Sequence, residues 1–423
     1  MFNKIVQRFL ICGALLTGAP FLASAQTVNF FKGALKENRE KFYRDMTASI
    51  ISDLSQPLND ETEGGWINAF GTINLLKYRT AFVQAKINFA ANHLSGRSDE
   101  LKKALIELLN SDYQGKYIPQ VKNVFYHAGD NVLLMAISAN YILPRSSAGD
   151  KTGMKKVVEQ KLRVNPANTV LAELAEQLNS THNRFPSVVS FFFPTYLPGQ
   201  VLVFSFQRHN RNFPGLTIVR DGSGKFIRNA DNSFFSVQQL ARSESNMPGY
   251  ISMGNTPQGI FRMDGFDTSK SFFIGPTTNI QLTMPFEYKA SHFFRDSSKV
   301  DSVWRMEDYT NLLPENFRNY RPMYGAWYAG KAGRTEIIAH GTTIDPAYYS
   351  GSTYYPYTPS AGCLVTKEFW NEATGMLQSS DQLLLTQAVA AAGGPSGYLI
   401  VIELNDLQKP VTLPDILSLL HEF

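Results

Sequence analysis

The chain has 423 residues, enough for two domains or more, and 43% of them are hydrophobic, which excludes a disordered chain. Its formal charge of +4 falls by two when residues 1–25 are set aside, because they carry Lys4 and Arg8 and no carboxylate. So neutral a balance gives no compositional case for nucleic-acid binding.

Residues 1–25 read as a secretory signal peptide. Lys4 and Arg8 precede an apolar run from Phe9 to Leu22, and Ala23-Ser24-Ala25 supplies a small-x-small pattern before Gln26. The expected product is exported to the periplasm or cell envelope, with cleavage after Ala25. No other stretch approaches the ~20 apolar residues of a membrane span. The only cysteines are Cys12 and Cys363, so a processed chain keeps one thiol and no internal disulfide. A leftover thiol in an exported protein is either a reactive group or an inert buried side chain.

Residues 26–185 are expected to form an all-α domain. Leu35, Phe42, Met46, Ile50 and Leu54 recur at helical steps, as do Leu101, Leu105, Leu108 and Leu109 behind the N-cap candidate Ser98. Val132–Leu143 reads as an apolar helix that Pro144 stops, and Pro166 and Asn168 open a last one.

Residues 186–423 change texture, and the whole is expected to be α+β. Strands are expected at Ser187–Phe193, Gln200–Phe206, Leu216–Val219, Ser271–Ile274, Ile280–Met284, Thr335–Ala339 and Tyr398–Leu404. Asp221-Gly222-Ser223-Gly224 reads as a hairpin turn leading into Lys225–Ile227. Helices are expected at Lys367–Met376 and Ser380–Ala392.

Chemistry concentrates late in the chain. Ile337-Ile338-Ala339 delivers His340, and Gly341 lets the backbone turn at once. Ser360-Ala361-Gly362-Cys363 then presents the thiol on a turn of small residues. An imidazole can accept a thiol's proton, and amides at Gly362 and Cys363 could hold an oxyanion. His340 precedes Cys363 by 23 positions, opposite to the Cys-first order of papain-like peptidases.

His340-Gly341-Thr342, Ser360-Ala361-Gly362-Cys363-Leu364 and an upstream Thr256-Pro257-Gln258-Gly259-Ile260-Phe261 resemble, in order, the three signature elements of the L,D-transpeptidase catalytic domain family. The resemblance covers about residues 200–405 and implies a catalytic domain with Cys363 as nucleophile and His340 as base. The implied substrate is the peptide stem of peptidoglycan, cut before its terminal D-alanine. It also implies backbone support from Gly362, Gly341 and Ser360, with the Gly341 carbonyl orienting the imidazole. An active dyad of this kind is expected to titrate its thiol below ~8.5. The family usually has Arg or Asn two residues after the cysteine, where this chain has Val365. A hydrolase on the same dyad and a decayed wall-binding scaffold are the alternatives.

The loop from Thr342 to Pro359 is rich in tyrosine and reads as an aromatic lid on substrate or as an ordinary surface loop. Thr342, Tyr355 and Tyr357 are its substrate-contact candidates. His292 is a possible second histidine of the site. His93, His127, His182 and His421 read as structural or exposed, His209 as a loop residue, and Arg321 and Arg334 as solvated surface, with carboxylate binding as the alternative. No cofactor is expected. No His, Cys and carboxylate set has metal-ligand spacing, and the helical domain's protein partner is not legible.

Overall fold

The computed structural model describes residues 30–179 and 185–420. The expected signal peptide lies outside the described residues, as do His182 and His421. The first half is helical: α1 (Lys36–Ser55), α2 (Glu63–Leu76), α3 (Ala81–Asn92), α4 (Asp99–Asp112), α5 (Ile118–Tyr126), α6 (Val132–Ile142), α7 (Ala148–Val164) and α8 (Thr169–Asn179). Side-chain oxygens start several of these helices. Ser98 Oγ accepts the Leu101 amide at 3.2 Å, and Asn168 Oδ1 accepts that of Leu171 at 3.0 Å. Ser147 and Asp150 form a reciprocal capping box on α7. Pro144 ends α6 in a 3-10 turn, Leu143–Arg145.

The second half is built on an eight-stranded mixed sheet in the order β3-β2-β1-β10-β4-β5-β6-β7. Its strands are β1 (Leu202–Gln207), β2 (Gly215–Arg220), β3 (Val237–Gln239), β4 (Gly259–Asp267), β5 (Asn279–Thr283), β6 (Ile338–His340), β7 (Leu364–Val365) and β10 (Tyr398–Glu403). A separate hairpin joins β8 (Glu368–Trp370) to β9 (Leu377–Ser380). β1 and β10 pair in parallel at the centre, and β1 is buried along its whole length, so it reads as continuous apolar sequence. One sheet face, with Val203, Phe261, Leu399 and Val401, clusters with Leu385 and Val389 of a late helix, Asp381–Ala391. The other face carries Phe204, Phe206, Ile260 and Ile400, and clusters with Phe191, Tyr309 and Trp327. Each such side chain contributes about 2–3 kcal/mol by leaving water.

The sheet curls into a near-closed barrel. Just past β3, Leu240 exchanges two backbone hydrogen bonds with Val365 of β7, both 2.8 Å. Closure removes an exposed edge and brings the end of β3 beside the cysteine turn. Val365 is 1% exposed in this seam, which explains why an apolar β-branched residue stands there.

The helical and β halves share a hydrophobic core. Leu240, Met247, Ile251, Ile344, Tyr349, Tyr354 and Tyr357 cluster with the helical leucines. Tyr349 Oη donates to the Leu75 carbonyl at 2.9 Å. The first described residues also bind the β half. Phe30 bridges Met376, Phe31 N–H donates to Gly375 O at 2.8 Å, and Phe42 stacks on Phe272 at 4.9 Å.

Three expectations fail for local reasons. Ser187–Phe193 is no strand: Val188–Phe191 is a 3-10 helix held between Pro186 and Pro194, and Phe191 and Phe192 pack on Phe204. Ser271–Ile274 is a turn whose Phe272 and Phe273 meet Phe42 instead of a strand partner. Lys367–Met376 is no helix but β8 and the turn toward β9, in which Asn371 Oδ1 accepts the Ala373 and Thr374 amides.

Candidate active site

Ala339 of β6 pairs in parallel with Leu364 of β7, and both sit in the sheet core. Alternation along β6 sends His340 toward the other face, and Cys363 stands immediately before β7. The sequence places these two residues 23 apart, and the sheet returns them to adjacent strands.

The cysteine turn is fixed from several sides. Ser360 Oγ accepts the Gly362 amide at 3.1 Å and donates to the Cys363 carbonyl at 3.2 Å. Glu244 N–H donates to the Ser360 carbonyl at 2.8 Å. Thr256 Oγ1 donates to the Gly362 carbonyl at 2.9 Å. Arg334 donates to Gly254 O and Asn255 O, both at 2.7 Å, and reaches Gly362 O at 3.4 Å. The Thr-Pro element, the histidine strand and the cysteine turn therefore meet in one place. Gly362 has φ +121°, and a Cβ there would run into the Arg334 guanidinium and the Gly254 carbonyl. The position requires glycine.

The Cys363 side chain is partly exposed. Its thiol donates to the Glu336 carbonyl at 3.7 Å. Glu336 has φ +65°, a left-handed conformation unusual for a residue with a side chain. Loss of water raises the Cys363 pKa above its ordinary value, and the Glu336 charge adds to that. The Ile338 amide, the Arg334 guanidinium and the Ser360 hydroxyl favour the thiolate without overcoming the burial. The thiol thus stands above the range expected from sequence for an active dyad.

His340 is 3% exposed. Burial pushes its pKa down to about 4, only partly opposed by the Gly341 carbonyl. Nδ1 hydrogen-bonds that carbonyl, which makes Nδ1 the protonated nitrogen of the neutral ring and leaves Nε2 as the basic one. Among the described hydrogen bonds, none joins imidazole to thiol: each group points to a backbone carbonyl. At neutral pH both are uncharged.

A buried carboxyl backs the histidine turn. Glu368 accepts the Thr342 amide at 3.0 Å and the Ser380 hydroxyl at 2.6 Å. Burial pushes its pKa up to about 7 despite these partners. A Cβ on Gly341 would collide with that carboxyl.

Several sequence candidates sit elsewhere. The Thr342 hydroxyl accepts from Thr358 at 2.9 Å and from the Ile344 amide at 3.2 Å, so it faces the interior. Tyr357 is 3% exposed and donates to Gln238 at 2.9 Å. Tyr355 alone of these three is exposed, at 50%. Most of the tyrosine loop is neither lid nor plain surface: Tyr349, Tyr354 and Tyr357 join the shared core. His292 pairs with Asp264 at 2.9 Å, and no described hydrogen bond ties it to Cys363 or His340. The Gly362 amide, expected as an oxyanion donor, is taken by Ser360, whereas no described hydrogen bond uses the Cys363 amide.

Both arginines expected at the surface are engaged. Arg321 pairs with Glu173 at 2.5 Å and lies over Tyr328, while Arg334 is 3% exposed. Arg334 and Glu368 are the site neighbours that sequence reasoning missed. The sequence signal for Arg334 was its place behind Gly330-Lys331-Ala332-Gly333, just ahead of the histidine strand. Among the described residues no group of three or more His, Cys, Asp or Glu is placed to hold a metal ion, and no helix is long and apolar enough to cross a membrane. The chain matches no family model, no curated protein and no solved structure.

Proposed function

We propose that the protein is an exported cysteine acyltransferase of the L,D-transpeptidase kind, acting on peptidoglycan stem peptides. The observation that carries this reading is the meeting of the three motif elements: Thr256 donates to the carbonyl of Gly362, the residue before Cys363, and His340 stands on the strand paired with the one that follows the thiol.

The chemistry follows from two neutral groups. In this reading the thiol must leave the Glu336 carbonyl and turn to His340 Nε2. Nε2 takes the proton as sulfur attacks the carbonyl between the third stem residue and D-alanine. The Cys363 amide donates to the developing oxyanion. The C–N bond then breaks, D-alanine leaves with the proton from His340, and a thioester remains. An amine attacks this thioester, forming a C–N bond and expelling sulfur, which regains its proton through the imidazole. A stem amine gives a cross-link, a free D-amino acid gives exchange, and water gives hydrolysis.

One observation favours a second reading, a catalytically silent wall-binding scaffold: the thiol bonds Glu336 rather than His340. Carbapenem treatment separates the two. The transferase acquires a covalent adduct at Cys363, detected by intact mass, and Cys363→Ala acquires none. Muropeptide binding without adduct or turnover would select the scaffold.

A further inference from the structure

Buried arginines in this fold meet their charge in different ways. Arg208 pairs with Asp415 at 2.7 Å, and Arg211 with Glu403 at 2.6 Å. Arg334 is as deeply buried, at 3% exposure, yet no carboxylate pairs with it among the described ion pairs. Four backbone carbonyls surround it instead, those of Gly249, Gly254, Asn255 and Gly362. Carbonyl dipoles solvate a guanidinium but leave its net charge in place, and an uncompensated buried charge is costly. Arg242, also buried, stacks on Tyr354 with its centre 4.8 Å from the ring and has Glu244 two residues away. Among the described residues no ring lies over Arg334, and its guanidinium lies where a Gly362 Cβ would be, one residue from the thiol.

We propose that Arg334 is a positioning residue of the cysteine turn: it ties the Thr-Pro loop to Gly362 and supplies the countercharge for the Cys363 thiolate. This rests on the reading of Cys363 as nucleophile and adds to it a division of labour. His340 moves the proton, and Arg334 stabilises the charge that remains on sulfur. The coupling is mutual. Among the described residues the Cys363 charge acts on Arg334, whose own pKa burial pushes down to about 10. Other groups face the same sulfur. The Ile338 amide and Ser360 hydroxyl favour the thiolate with Arg334, and the Glu336 carboxylate opposes it. His340 is on the adjoining strand, and its neutral ring brings no charge at the pH where a thiol titrates.

The test is the pH profile of iodoacetamide alkylation, read by mass on the peptide carrying Cys363, which separates it from Cys12. Arg334→Gln is expected to move the alkylation midpoint up by about one pH unit or more. Arg334→Lys, which keeps a charge, is expected to recover most of that shift. A turn that only needed its hydrogen bonds would lower the melting temperature and leave the midpoint in place. Because Arg334→Gln removes several buried hydrogen bonds and its fold is at risk, His340→Gln gives an independent arm. With Arg334 as countercharge its midpoint stays within about 0.3 units of the parent. An unchanged midpoint in folded Arg334→Gln, a Lys variant that tracks the Gln variant, or a unit-sized rise in His340→Gln overturns the assignment. Alkylation needs no muropeptide. Failure of the acyl-transfer reading therefore shows in turnover, and failure of the Arg334 role shows in the midpoint.

Discussion

Burial acts on Cys363 and His340 in opposite directions: it raises the thiol and lowers the imidazole, and both changes favour the uncharged form. On the proposed function, the reactive free state is then thiol plus neutral imidazole. His340 is lost as a base only when pH falls through about 4. The kcat/KM profile on a tetrapeptide muropeptide is expected to stay level from roughly pH 5 to 8 and to drop tenfold per unit below about 4. An acid limb near the ordinary histidine value of about 6.5 would show that the ring is not held in a dry site. Thr256 gives a second test at this scale. Thr256→Val removes its donor to the Gly362 carbonyl, and that acceptor keeps only the longer Arg334 contact. A loss of about 1–2 kcal/mol in stability is expected from chemical denaturation, together with reduced turnover, because the cysteine turn is less firmly held.

Elements differ in how far the sequence declares them. β1, β10 and the cysteine turn were legible, because a buried strand needs a continuous apolar run and a turn needs small residues. The candidate nucleophile and base were legible for the same reason: each stands beside a glycine. β8 and β9 were not legible. Residues 367–376 carry weak local preference, and Phe30, more than 300 positions earlier, supplies a bridge to Met376. Arg334 and Glu368 were hidden because burial alone makes them unusual, and burial is set by tertiary packing. Glu368 on β8 carries a prediction of its own. Its folded pKa of about 7 lies above its unfolded value, so its contribution is most favourable at low pH and is lost as pH rises through about 7. Glu368→Gln removes this titration. Its stability relative to the parent, read from chemical denaturation, is expected to rise by about 2–3 kcal/mol from pH 5 to pH 8. A difference that does not change with pH would mean the carboxyl is already ionised in the fold.

The whole molecule is held by a core that crosses from helices to barrel. Tyr349, Tyr354 and Tyr357 leave the loop between His340 and Cys363 and enter the helical cluster, so the helical half braces the segment joining base to nucleophile. Calorimetry is expected to give one cooperative unfolding transition. Two separated transitions would mean that the shared core does not couple the halves. The bracing also accounts for a loop that reads from sequence as either a lid or plain surface: its aromatic content serves packing, and Tyr355 is the ring of its substrate candidates left open to solvent. The proposed acyl transfer depends on one covalent event, a thioester on Cys363. The most direct measurement is intact mass spectrometry of the protein mixed with a tetrapeptide muropeptide and quenched in acid, with released D-alanine followed in parallel. An adduct of muropeptide minus D-alanine on Cys363 is expected, with D-alanine release that disappears in Cys363→Ala. D-alanine release that persists in Cys363→Ala would contradict the proposed transfer.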